Sequence, residues 1–429
     1  MFSSPPPAAR PALEVSDILR GEAESLLGKD GFRLSREQQR VVRDLLRCRT
    51  AALGGHLQTC DRCDHREISY NSCRNRHCPK CQGSARAGWL AEREADLLPI
   101  PYFHIVFTLP AEVGALALGN KRRLYGMLFE AASQTLLEVA GNSRRLRDAE
   151  LGVLAVLHTW GQNLQHHPHL HCVVTGGGLA RDGSRWIGSS DGYFLPVRLL
   201  SHVFRARFGR LLRKAFDRGE LLFHGQLTSL ADAEAFQRFV GAVTGRPWVV
   251  YAKRPFHDPS RVLKYLARYT HRVAISNHRL MAYRDGRVTF RYKDYAKEGR
   301  ERTMTLAAGE FIRRFLLHVL PEGFMRIRHY GFLANRHRRE KLAACRRALG
   351  VAPVAEADRL DGTDKELAEA PAEDACGETM DAAQAMIPCP RCQVGRMQTI
   401  ATFEGHSSPQ RRPSSSLVCQ PSIPYQDSS

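Results

Sequence analysis

Membrane-spanning character is what this 429-residue chain most plainly lacks: nowhere do about 18 apolar residues follow one another, the length a helix needs to cross a bilayer. The opening stretch MFSSPPPAARPALEV has no basic patch leading into an apolar run, so no export leader is expected and the cytoplasm is the expected compartment. Internal repeats are also absent. Acids are in short supply, 44 Asp and Glu against 63 Lys and Arg, for a net charge of +19. They are also unevenly placed. Between Glu356 and Asp381 ten acids stand against two bases, Arg359 and Lys365, so the remainder is more basic still. A body so charged repels itself unless a polyanion is its working partner, and nucleic acid is the commonest one. A membrane surface would need a basic amphipathic helix with a bulky apolar face, and none is found. With 43% hydrophobic residues there is material for full-sized cores, in two or three domains.

In a reducing compartment twelve cysteines argue for metal ligation, not disulfides. Cys60, Cys63, Cys78 and Cys81 read C-x2-C-x14-C-x2-C, two knuckles at a spacing that lets four thiolates meet one structural zinc. Cys73, His56, His65 and His77 are surplus donors, so an altered ligand set or a second metal stays open. The basic neighbours, Arg74 and Lys80 among them, point to a surface that grips DNA. A further knuckle, Cys389 and Cys392, lacks a matching pair, with only Cys376 and Cys419 nearby, and reads as an incomplete ribbon.

Periodicity organises the rest. Residues 12–50 read as helical, with Ser35 as an N-cap; 101–110 read as a buried strand; 111–140 return to helix. LGVLAVLHTWG and HLHCVVTGGGL read as adjacent strands, 197–218 and 231–244 as helices, WVVYAKRP as a strand. A hairpin follows, turning at Asp285-Gly286. The expected fold is α+β with a mainly antiparallel sheet. Expected boundaries are a helical and zinc-binding DNA-recognition domain at 1–95, a catalytic domain at 96–340, a basic-then-acidic disordered linker at 341–386, and a partial knuckle with a disordered tail at 387–429.

Two elements carry chemistry. In HHPHLHCVV, period-two alternation points His169 and His171 to one face of a strand while Leu170 and Cys172 turn to the other. Two imidazoles fixed this way can hold a divalent ion and leave positions open for substrate oxygens. The second element is a helix opening at Asp258-Pro259. At ~100° per residue Tyr265 and Tyr269 fall about 200° and 240° round from Leu263, off the apolar stripe of Leu263, Leu266, Ala267 and Thr270 and among Arg261, Arg268 and Arg272. Phenol oxygens ringed by cations suit attack on a phosphodiester. A lone structural histidine, or tyrosines that merely pack, would not give this combination.

The stretches SCRNRHCPKCQ (72–82), WGQNLQHHPHLHCVVTGGG (160–178) and YLARYTHRVAISN (265–277) resemble the two-tyrosine transposases of the insertion-sequence ninety-one family, in the HUH endonuclease superfamily, over about residues 10–340. The resemblance implies a ferredoxin-like catalytic domain, with Mg²⁺ or Mn²⁺ on His169 and His171 and Tyr265 and Tyr269 as paired nucleophiles. It implies that single-stranded DNA of the element ends and target DNA are the partners, in the bacterial cytoplasm at the nucleoid. The implied reaction is a nick that leaves a 5′-phosphotyrosine, then strand transfer in rolling-circle transposition. A third polar metal ligand is also implied, with Gln162, Asn163 and His167 as candidates. A rolling-circle replication initiator with the same chemistry would release a circle without inserting it. A non-catalytic zinc protein binding nucleic acid would lose nothing on changing both tyrosines to phenylalanine.

Overall fold

A computed structural model gives the fold and describes residues 11–24, 34–82, 96–189, 195–253, 273–294, 299–351 and 388–405. The chain divides into two compact units, one of Met1–Leu46 with Cys73–Met380, the other of Arg47–Ser72 with Asp381–Ser429. Residues 1–95 therefore do not form one body, because the segment after Arg47 folds with the far end of the chain.

The elements run in chain order as α1 (Val15–Gly21), α2 (Arg36–Arg47), β1 (Gly55–Cys60), β2 (Arg66–Tyr70), β3 (Tyr102–Thr108), α3 (Ala111–Gly119), α4 (Lys121–Gly141), β4 (Ala149–Trp160), β5 (His166–Ala180) and β6 (Trp186–Gly188). There follow α5 (Val197–Asp217), α6 (Ala233–Thr244), β7 (Val250–Ala252), β8 (Leu280–Arg284), β9 (Arg287–Asp294), β10 (Arg300–Ala307), α7 (Ala308–Leu317), β11 (Ile327–Gly331), α8 (Arg338–Ala348) and β12 (Met397–Phe403). Ser35 does cap α2: its hydroxyl accepts from Gln38 N at 3.3 Å while its own N–H donates to Gln38 Oε1 at 3.0 Å. Asp285 and Gly286 both take positive φ, 51° and 65°, the backbone a two-residue hairpin turn between β8 and β9 requires.

The larger unit is built on a sheet in the order β11-β4-β5-β3-β7, with β6 on β5 and every pairing antiparallel. Alternation along its strands gives it two different faces. Phe103, Ile105 and Phe107 of β3, Val153, Ala155 and Leu157 of β4, and Leu170, Cys172 and Val174 of β5 join one cluster with buried side chains of α3 to α6. The opposite face carries Leu154, Val156 and Val173, covered at one end by Leu98, Ile100, Phe332 and by Leu342 and Cys345 of α8. Helix α8 thus reaches Ala348 as part of a core, and the segment expected to be a linker from 341 begins as packed helix, because Leu342 and Cys345 sit one turn apart on its inner side. Beyond these apolar residues the same face turns polar, and there the histidines stand. No helix among the described residues is long and apolar enough to cross a membrane.

In the smaller unit β12 pairs with β1, and β1 with β2, in an antiparallel sheet. Residues 388–405, expected as a partial knuckle leading into a disordered tail, supply the knuckle and also its third strand.

Candidate functional site

Strands β4 and β5 are joined by a short turn, and their register sets His158 directly opposite His169 and Val156 opposite His171. Facing pairs across an antiparallel ladder share a side, so His158 joins the two histidines already aligned by spacing. Ligand nitrogens of His158, His169 and His171 all lie within 4.8 Å of one another. His158 and His171 are buried, while His169 is half-buried. Trp160 stacks on the His158 ring at 4.6 Å between centroids.

Each of the two β5 rings is fixed through its Nδ1. His169 Nδ1 lies 2.7 Å from the carbonyl oxygen of His167, and His171 Nδ1 lies 2.9 Å from His104 Nε2. His104 stands on β3, one strand over and on the same face, since Val106 of β3 pairs with His171. Burial, aided by the charge of Lys253, pushes His104 down to about 3, so its ring is neutral and accepts the His171 N–H when Nε2 of that ring holds an ion. Outer partners of this kind hold the ligand ring in one tautomer. His104→Ala is therefore expected to weaken divalent-metal binding by about 10- to 100-fold in a calorimetric titration, without removing a ligand.

The turn between β4 and β5 is pinned from three sides. The carbonyls of Gln162, Asn163 and Leu164 accept from Arg279 Nη2, Arg314 Nη1 and His318 Nε2, the last two at 3.3 and 3.1 Å. Leu164 needs this: it has φ 63°, a region costly for a branched side chain, and its side chain is fully buried. Burial holds His318 low, to about 3, so it acts as a neutral strut, with Thr159 Oγ1 3.2 Å from its Nδ1. Likewise His166 Nε2 meets Tyr125 Oη at 2.7 Å and braces the start of β5. Gln162 and Asn163 thus stand in the turn and the His167 carbonyl meets the His169 ring, while the imidazole that gathers with His169 and His171 is that of His158 on β4.

The cysteines separate into two groups. Cys60, Cys63, Cys389 and Cys392 have sulfurs within 4.8 Å of one another in the smaller unit. In the larger unit Cys73, Cys78 and Cys81 gather within the same distance, with Cys73 Sγ 3.6 Å from Cys81 Sγ. The structure therefore does not bring Cys60 and Cys63 together with Cys78 and Cys81. His56, His65 and His77 belong to neither group. Backbone N–H groups of Gly395 and Val394 pull the Cys392 thiol down to about 6. The His65 N–H favours the Cys63 thiolate as well, yet burial and the three neighbouring sulfurs push that thiol up to about 12. Four such sulfurs shed all their protons together only around a cation, which is the donor chemistry of a structural zinc.

Two family descriptions match: "Transposase zinc-binding domain" over residues 18–109 and "Putative transposase" over residues 152–341. The chain is 50% identical over 403 residues to "Putative transposase y4qJ" of Sinorhizobium fredii, covering 94% of this chain and 98% of that protein. It is 29% identical over 302 residues to "Transposase for insertion sequence element IS801" of Pseudomonas savastanoi pv. phaseolicola, covering 69% of this chain and 70% of that one. This chain belongs to the insertion-sequence ninety-one family of transposases. No solved structure matches it.

In this transposase the zinc-binding domain of the family and the cysteine groups together support structural zinc. The three-histidine group falls inside the segment matched to the transposase description. Tyr265, Tyr269, Arg261, Arg268 and Arg272 lie outside the described residues. Arg74 is exposed, with φ 51°. Lys80 is placed otherwise: its ammonium is 2.9 Å from Glu14 Oε2 and 3.4 Å from Ser16 Oγ, with 15% of the side chain exposed. It serves α1 of its own chain. Neighbouring Arg76 donates to the carbonyls of Phe324 and Pro321 at 2.8 and 3.0 Å, tying the same loop down.

Proposed function

We propose that this transposase nicks single-stranded DNA at the ends of its element and transfers the strand through a 5′-phosphotyrosine, with Tyr265 and Tyr269 as nucleophiles and His158, His169 and His171 as the metal-binding face. The observation that carries the reading is the meeting of three imidazoles on one side of β4 and β5, on the sheet face opposite the main core.

The strand order supports a ferredoxin-like domain. Strands β3, β4, β5 and β7 with their intervening helices follow β-α-β-β-α-β in sequence, and β5 and β3 sit in the middle of the sheet. The tyrosines lie between Lys253 and Val273. Lys253 N donates to His104 O at 2.9 Å, and Arg279, shortly after Val273, reaches Gln162 O on the β4–β5 turn. These contacts of the flanking residues with β3 and with the β4–β5 turn support a place for the tyrosines near the histidines.

Three nitrogen donors suit Mn²⁺ better than Mg²⁺, which prefers oxygen ligands. A divalent ion held there supplies charge to the phosphate undergoing displacement. The chain's own residues do the rest. One phenol oxygen attacks phosphorus as the bond from phosphorus to the 3′ oxygen breaks. The proton lost by the phenol is made good on the departing 3′ oxygen, which leaves as a hydroxyl. Attack by a 3′-OH on the phosphotyrosine reverses these bond changes, so one ester replaces another and no nucleotide triphosphate is consumed. A second tyrosine permits a second cut while the first link persists.

The test is incubation of the chain with a single-stranded element-end oligonucleotide and Mn²⁺, resolved on a denaturing gel. A slower, protein-linked DNA band is expected, lost with chelator and absent when the same sequence is fully duplex. An untouched oligonucleotide would refute the reading.

A further inference from the structure

We infer that Cys60, Cys63, Cys389 and Cys392 form a zinc site of their own, distinct from the group of Cys73, Cys78 and Cys81, and that it fastens the C-terminal part of the chain into the smaller unit. Cys389 and Cys392 lie outside the segment, 18–109, that matches the family's zinc-binding domain.

Distances fit an ion and not a covalent bridge. Cys60 Sγ is 3.7 Å from Cys392 Sγ, and Cys63 Sγ is 3.6 Å from Cys389 Sγ. A disulfide would bring sulfurs to about 2.05 Å. A tetrahedron with zinc–sulfur bonds of about 2.3 Å has sulfur–sulfur edges of about 3.8 Å.

The two knuckles turn alike after their second cysteine. Each Cys-x-x-Cys is followed by a residue of positive φ, Asp64 at 52° and Gln393 at 57°. In each, a backbone N–H points at a sulfur, from Arg62 to Cys60 Sγ at 3.4 Å and from Gly395 to Cys392 Sγ at 3.2 Å. They are braced together: Asp61 N donates to Arg396 O at 3.1 Å, and Arg396 N to Asp61 Oδ1 at 2.8 Å. At Gly395 a Cβ would sit 2.4 Å from Cys60 Sγ, so only glycine lets the second knuckle come this near the first.

The smaller unit also needs a staple. Among its described residues the buried apolar cluster is Cys60, Cys389 and Met397, with Cys63 and Cys392 packed against it. So small a core does not hold three strands, and metal ligation is the ordinary substitute. Because the ligand pairs stand 326 and 332 residues apart, the site is complete only once Cys389 and Cys392 have been made.

Zinc measured on the dialysed full-length protein tests this. Cys389→Ser/Cys392→Ser and Cys60→Ser/Cys63→Ser are each expected to lose one equivalent relative to wild type, and the quadruple variant no more than one. Unchanged zinc in the Cys389→Ser/Cys392→Ser protein, or additive losses in the quadruple, would overturn the shared site. Alkylation of the unaltered protein avoids any folding defect of the variants. Cys389 and Cys392 are expected to resist iodoacetamide until chelator is added, and equal labelling with and without chelator would overturn the assignment. Neither readout involves DNA cleavage, so this site and the proposed nuclease stand or fall separately.

Discussion

His158→Ala is expected to lower Mn²⁺ affinity by well over about 100-fold and DNA cleavage by a comparable factor, more than the loss of an outer partner such as His104. His158 is 2% exposed, stands opposite His169, and presents its ring to both other imidazoles, with centroids 5.5 Å from His169 and 4.5 Å from His171. Removing it leaves two nitrogens where three converge, and two imidazoles alone do not fix the orientation of an ion against a phosphate. The alternative is a histidine that merely fills space beside Trp160. His158→Asn separates the two: it keeps a polar side chain and much of the packing, so a space-filling role predicts little change in metal affinity. Calorimetric Mn²⁺ titration, with thermal unfolding as a control, decides the matter. Affinity within about threefold of wild type in a folded variant would remove His158 from the metal face.

The second large effect is expected from Tyr265→Phe/Tyr269→Phe. Phenylalanine keeps the ring and removes only the attacking oxygen, so the protein should fold and bind DNA while covalent linkage falls by at least about 10⁴-fold, the scale on which loss of a nucleophile is felt. Each single variant should retain linkage through the other tyrosine but lose strand transfer, which needs both. Tyr251 is the natural control. Its register against Val106 puts it on the histidine side of the sheet, and its side chain is 54% exposed. Tyr251→Phe is expected to leave linkage intact. Quantitative gels of linked and free oligonucleotide give all four values, and a double variant that still links DNA would exclude the pair.

Much of this architecture is legible in the sequence, for identifiable reasons. Alternation along HLHCVV fixes which residues face a core, and Leu170 and Cys172 are indeed fully buried on the side away from His169 and His171. Asp285-Gly286 has the chemistry a hairpin turn demands, and β8 and β9 meet there. His158 and His104 escape notice because a single histidine in an apolar strand looks structural, and only the register of three strands reveals that they share a face. His166 and His318 show that the structural reading is often right.

The cysteines misdirect for a different reason. A two-residue knuckle announces that two thiolates turn toward one ion, but it does not say which other pair completes the tetrahedron. Local spacing favoured Cys78 and Cys81 as the partners of Cys60 and Cys63. The pairing across β1 and β12 instead brings up Cys389 and Cys392, beyond an acidic segment that hides their relation. Likewise a basic neighbourhood in sequence does not show that Glu14 lies within 2.9 Å of the Lys80 ammonium.

The most direct test of the central claim is to find where the DNA is attached. The chain is incubated with Mn²⁺ and a single-stranded element-end oligonucleotide, digested with trypsin, and the nucleotide-bearing peptide identified by mass spectrometry. The expected result is a phosphodiester on Tyr265 or Tyr269 in wild type, and no such peptide from a protein lacking His158, His169 and His171. A nucleotide on Tyr251 or elsewhere, or undiminished linkage without the three histidines, would contradict the account.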